Sequence, residues 1–160
     1  MRDSYFSSDI QDFFLLLSKY EVKYLIVGGE AVIYYGHARL TGDIDFFYEL
    51  SAENAGKLYH ALLEFWDQSV PGIDSPDVFL KHGAIVQFGQ PPNRIDLINV
   101  IDGVSFAEAW ESRISETIRA KNNMCTIYYI DLQNLIKNKK AVKRNKDLED
   151  IKYLEKMLIR

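Results

Sequence analysis

Gly28-Gly29-Glu30-Ala31-Val32-Ile33-Tyr34-Tyr35-Gly36-His37-Ala38-Arg39-Leu40-Thr41-Gly42-Asp43-Ile44-Asp45 is the stretch of the chain that decides its fold. The glycine pair follows an apolar run, Tyr24-Leu25-Ile26-Val27, that reads as a strand. Asp43 and Asp45 open a second apolar strand that continues through Phe46, Phe47 and Tyr48. Side chains two apart on a strand share a face and lie about 6–7 Å apart. Two carboxylates held in this way suit Mg²⁺, with Mn²⁺ as a substitute, because a hard cation takes oxygen ligands and often shares them with substrate phosphates. A glycine turn lets backbone N–H groups approach a phosphate with no Cβ in the way.

Arg94-Ile95-Asp96-Leu97-Ile98 reads as a third strand, with Asp96 set between apolar residues. An ionised Asp there is costly unless it is paired or metal-bound. If this strand lies beside the Asp43 strand, Asp96 completes a three-carboxylate cluster. Such a cluster can hold two ions about 3.5–4 Å apart, the arrangement used for in-line phosphoryl displacement.

The apolar strand, Gly28-Gly29, the 13 residues that follow and then Asp43-Ile44-Asp45-Phe46, with Asp96 later, resemble the signature of the DNA polymerase beta-like nucleotidyltransferase superfamily. The run Leu135-Ile136-Lys137-Asn138-Lys139-Lys140-Ala141, with Arg144, Lys146-Asp147-Leu148 and Asp150, is similar to small bacterial members related to the toxins of abortive-infection toxin–antitoxin systems. The resemblance spans about residues 22–154. Asp131 stands where these relatives would have a serine, and Asp is an equally good N-cap. The resemblance implies an α/β (α+β) nucleotidyltransferase fold, a mixed sheet flanked by helices. It also implies Mg²⁺-dependent transfer of an NMP from an NTP to an acceptor hydroxyl. Asp43, Asp45 and Asp96 would be both catalytic and metal-binding. Gly28, Gly29 and Lys139 would bind the nucleotide. RNA such as tRNA is the expected acceptor, on the basic run Lys137–Lys146, and an antitoxin protein is the partner the resemblance implies. Protein nucleotidylation (AMPylation) and a non-catalytic nucleotide- or RNA-binding member are the alternatives.

Composition sets the frame. A chain of 160 residues points to one domain, 1–160, with a C-terminal helical segment over 131–160. An apolar content of 48% is enough for a core. No apolar run reaches the roughly 20 residues of a membrane span. The start, Met1-Arg2-Asp3-Ser4, lacks the pattern of a signal peptide, so a cytoplasmic protein is expected. Cys125 is alone, and His37, His60 and His82 have no ligand-like spacing. There is no third glycine of a dinucleotide fingerprint, no Gly-Lys-Ser/Thr of a P-loop and no nucleophile elbow.

Charge is unevenly spread. Residues 1–136 carry 10 Lys+Arg and 19 Asp+Glu, a net of −9, whereas residues 137–160 carry 9 and 4, a net of +5. Six of the ten residues Lys137–Lys146 are basic. This is either a solvated helix end or an RNA-facing patch, with Lys140, Lys143 and Arg144 as its candidates. Leu132, Leu135, Ile136 and Lys139 fall at helical spacing, so Lys139 continues an inward stripe. It either meets an anion such as a triphosphate or snorkels outward. Asp147, also near an inward edge, is read as a cap or as a partner of Lys139 or Arg144. Arg39 and Thr41 either touch phosphate or hold the loop.

The remaining pattern predicts a helix opened by a capping box at Ser8, strands over 23–27, 43–48, 84–88 and 124–130, and a weaker strand over 114–118. Helices are expected over 51–66, 105–111, 131–139 and 146–158. Gln90-Pro91-Pro92-Asn93 joins the Asp96 strand to its neighbour as a hairpin, and 71–76 is a loop.

Overall fold

The computed structural model describes residues 5–159. The expectation about a leader at residues 1–4 lies outside them. The order is α1 (Ser8–Lys19), β1 (Tyr24–Val27), α2 (Gly28–Tyr34), β2 (Asp43–Tyr48), α3 (Ala52–Phe65), β3 (Ile85–Phe88), β4 (Arg94–Ile98), α4 (Phe106–Glu111), β5 (Ile114–Ala120), β6 (Asn123–Tyr129), α5 (Leu132–Val142) and α6 (Asn145–Leu158). The strands form one mixed sheet in the order β3-β4-β2-β1-β6-β5. β2 runs antiparallel to β1 and parallel to β4, β1 runs parallel to β6, and β3–β4 and β5–β6 are antiparallel pairs. No described helix is long and apolar enough to cross a membrane. The α/β (α+β) expectation holds.

Alternation along β2 divides the sheet's faces. Ile44, Phe46 and Tyr48 point one way and are buried. Phe46 meets Phe13 and Phe14 of α1 edge to face, with ring centroids 5.2 and 5.9 Å apart, and Tyr24 of β1 at 5.5 Å. This aromatic layer fixes α1 against the sheet, and Phe13–Phe65 at 5.3 Å ties α3 to the same layer. Asp43 and Asp45 therefore face the other way.

Helix ends follow local chemistry. Ser51, Ser105 and Asp131 cap α3, α4 and α5, each accepting a bond from a backbone N–H three residues on. α1 departs from the expected capping box at Ser8. Ser7 is the cap, accepting from the Ile10 N–H, and Gln11 instead donates to the Phe6 carbonyl and accepts from the Lys121 N–H. α5 runs three residues past Lys139, to Val142, because Lys143 in the left-handed region (φ 61°) ends it. The loop after Pro71 also carries a 3₁₀ helix, Pro76–Leu80, which the turn-rich composition did not foreshadow.

Asn54 is the clamp that sets the sheet against α3. It is buried, accepts from the Lys23 N–H at 2.8 Å and donates to the carbonyls of Lys23 (3.0 Å) and Glu49 (2.9 Å). Those carbonyls lie where β1 begins and β2 ends. Asn54→Ala leaves the Lys23 N–H and the Glu49 carbonyl without this partner, at a cost of about 1–3 kcal/mol per buried group. A loss of about 2–4 kcal/mol is expected from urea denaturation with an unchanged slope. A loss below about 1 kcal/mol would mean that water replaces the amide.

Candidate active site

The register between β2 and β4 builds the site. Asp43 pairs with Arg94 and Asp45 with Asp96. Since β2 and β4 are parallel neighbours, all four side chains leave the same face of the sheet. β3 adds Gln87 opposite Asp96. One carboxylate oxygen from each of Asp43, Asp45 and Asp96 lies within 4.8 Å of the others. These residues line a cleft of about 390 Å³ together with Gly28, Gly29, Arg39, Thr41, Lys139, Arg144 and Lys146. A larger cavity, of about 530 Å³, lies between α1 and α3, but its charged groups, Asp9, Asp12, Lys19 and Glu64, form no comparable cluster.

Arg94 lies against the carboxylates. Its Nη2 is 2.7 Å from Asp43 Oδ2 and 3.1 Å from Asp96 Oδ2, and its Nε is 2.9 Å from Asp96 Oδ1. Asp43 also accepts from the Thr41 hydroxyl at 3.3 Å. Asp45 has the harder environment. Burial, then the charges of Asp43 and Asp96, push its carboxyl up to about 7. Three carboxylates within 4.8 Å of one another concentrate negative charge that a divalent cation would neutralise. On this observation the donor set suits Mg²⁺ or Mn²⁺.

The glycines stand where a side chain would not fit. Gly28 has φ +64°, and a Cβ there would collide with the Asp45 carboxylate. A Cβ on Gly29 would come within 2.8 Å of Thr41 Oγ1 and 3.0 Å of Arg39 Nη2. Val27, at the N-cap of α2, makes no side-chain cap bond to the first N–H groups of that helix.

The opposite wall is cationic and is held by α6. Lys139 is 2% exposed, and its ammonium lies 3.1 Å from both Asp147 Oδ1 and Asp150 Oδ2. Asp147 also accepts from the Arg144 guanidinium at 2.8 Å and from the Arg144 N–H at 3.1 Å. Asp150 meets Arg39 Nε at 3.2 Å and His37 Nε2 at 3.7 Å. Burial alone would raise the Asp147 carboxyl, but the bonds from Arg144 and Lys139 outweigh it and hold it at about 2.

The structure thus brings together Gly28, Gly29, Arg39, Thr41, Asp43, Asp45, Asp96, Lys139 and Arg144. Lys139 does point inward, and its anions within the chain are Asp147 and Asp150. The basic run is less free than its charge count implied. Lys137 pairs with Glu108 at 3.2 Å, Lys140 with Glu155 at 3.1 Å and Arg144 with Asp147. Among the described residues, Lys143 and Lys146 have no such ion pair. Arg94 was missed as a site residue. The available signal was its place two residues before Asp96, on the same strand face.

A family model described as a nucleotidyltransferase of unknown function (DUF6036) matches residues 8–159. No curated protein matches the chain.

Two outcomes follow from these charges. The Asp45 carboxyl has its folded pKa above the ordinary 3.8. Its contribution to stability is therefore full below about pH 4 and is lost as pH rises through about 7. Metal-free wild type should lose thermal stability relative to Asp45→Asn between pH 5 and pH 8, and a constant difference would contradict the shift. Lys139→Ala takes the shared cation from two buried carboxylates but leaves Asp147 with Arg144 and Asp150 with Arg39. It should cost roughly 1.5–3 kcal/mol in urea denaturation, and a cost near zero would show that water reaches the pair.

Proposed function

Because the chain belongs to this family of nucleotidyltransferases of unknown function, we propose that it transfers a nucleoside monophosphate from an NTP to an acceptor hydroxyl. The observation that carries the reading is the three-carboxylate cluster on one sheet face, within 4.8 Å, beside the Gly28-Gly29 turn. Mg²⁺ held by Asp43, Asp45 and Asp96 would neutralise the negative charge of the triphosphate and of the transition state.

The chain's own residues do the rest. Gly28 and Gly29 leave room for phosphate oxygens against backbone N–H groups. Arg39, Lys139 and Arg144 line the cleft that would receive the triphosphate, and Thr41 orients Asp43. Asp96 positions the acceptor hydroxyl and accepts its proton. The hydroxyl oxygen forms a new bond to the α-phosphorus, the bond from that phosphorus to the bridging oxygen breaks, and pyrophosphate leaves with the electron pair. Rate enhancement would rest on positioning and fixed charge.

For the acceptor we propose RNA, with tRNA as the leading case. Lys143 and Lys146 support this, since each keeps an ammonium without an ion pair among the described residues, and Lys146 and Arg144 line the cleft. Lys140 would add to that surface on release from Glu155. The toxin-like resemblance supports a neutralising antitoxin as protein partner. The ion pairs along α5 favour one competing reading, a protein hydroxyl as acceptor, because they reduce the charge offered to a polyanion.

Labelled NTPs, Mg²⁺ and whole lysate, resolved separately as RNA and protein, test the reading. Label on RNA is expected, and Asp45→Asn should reduce it at least a hundredfold. Label on protein alone would select the competing acceptor, and label on neither would overturn the transfer reading.

A further inference from the structure

Arg94 places a fixed cation where a metal would bind. The guanidinium bonds both carboxylates that flank it, Asp43 at 2.7 Å and Asp96 at 2.9 and 3.1 Å. A divalent ion that takes Asp43 Oδ2 and the Asp96 oxygens competes with it for the same carboxylate charge. The side chain is 31% exposed, so a path into the cleft is open to it. The cleft already holds Lys139, Arg144 and Lys146. Lys139 and Arg144 occupy Asp147 and Asp150 there, and Lys146 has no ion pair among the described residues, so a guanidinium turned out of the cluster goes unpaired unless an anion arrives with the metal.

We propose that Arg94 is a resident counter-ion of the carboxylate cluster, exchanged for a divalent cation only when a polyphosphate is present to receive the displaced guanidinium. This rests on the proposed function, because it takes the polyphosphate to be the NTP. Arg94 is then a positioning residue with two states. In one it neutralises Asp43 and Asp96 in the resting protein. In the other it forms a forked pair with phosphate oxygens, for which its planar donor geometry is suited. Its consequence is linkage: metal and nucleotide each strengthen the other's binding, beyond their own chelation in solution.

The test separates the two partners. Binding of Mn²⁺ alone is measured by calorimetry or by its electron paramagnetic resonance signal, in buffer free of chelators. Binding of non-hydrolysable α,β-methylene analogues of the four NTPs is measured at saturating Mn²⁺. Arg94→Gln removes the competing charge. It should bind Mn²⁺ alone at least tenfold more tightly than wild type and bind the preferred analogue at least tenfold more weakly. A purely structural role would weaken both. Arg94→Lys keeps the charge with fewer bonds, so it should gain several-fold in metal affinity, and it carries the test if the Gln variant does not fold. Unchanged or weaker binding of Mn²⁺ alone in these variants overturns the proposal, even with metal-dependent analogue binding intact. No Mn²⁺ binding by any of the proteins, with or without analogue, would overturn the proposed function itself.

Discussion

The parallel pairing of β2 with β4 is the constraint on which the rest depends. A register of Asp43 with Arg94 and Asp45 with Asp96 sets three acids and one base on a single face. A slip of β4 by one residue would turn Arg94 and Asp96 to the other face, away from Asp43 and Asp45. The apolar face therefore specifies the polar one. Ile44, Phe46, Ile95 and Leu97 are buried, and their burial is what holds mutually repelling carboxylates within reach of one another. Folding free energy from the core is spent on charge crowding at the cleft, and the raised Asp45 carboxyl is its signature.

A second charge system balances the first. Lys139, Arg144 and Arg39 converge on the cleft but are each anchored behind it by Asp147 or Asp150. The acids of α6 thus set the positions of cationic residues that line the cleft. Desolvating a lysine without such partners would be prohibitive, whereas here two carboxylates and a neighbouring guanidinium share the burial.

Legibility in the sequence followed the range of the interactions. Gly28-Gly29, Asp43 and Asp45 were readable because their meaning lies in spacing along one strand–helix–strand segment. Asp96 was readable from its apolar flanks alone. The inward direction of Lys139 came from the helical period, and Asp147 was correctly tied to it. Arg94 was not legible as a partner of Asp43, because that contact exists only once strands 51 residues apart are aligned. The basic run of 137–146 misled in degree for the same reason: counting charges says nothing of Glu108 or Glu155, which the fold brings alongside. Ser7 replaced Ser8 as the first cap because both residues could serve, and tertiary bonds of Ser8 and Gln11 to Lys121 decided between them.

The anchoring of Lys139 by α6 bears on the order in which the molecule assembles and comes apart. The cleft draws on residues from Gly28 to Asp150, so its contacts close some of the longest loops in the chain. Loop closure of that span is entropically late, and β1, β2 and α1 can pair before it occurs. On heating or partial denaturation the sequence reverses. A helix that leaves the body takes both carboxylates and its capping Arg144 with it and releases Lys139 and Arg39 at once, while the aromatic core persists. The α6 side of the cleft can then open before the core does, while the three carboxylates stay on their paired strands.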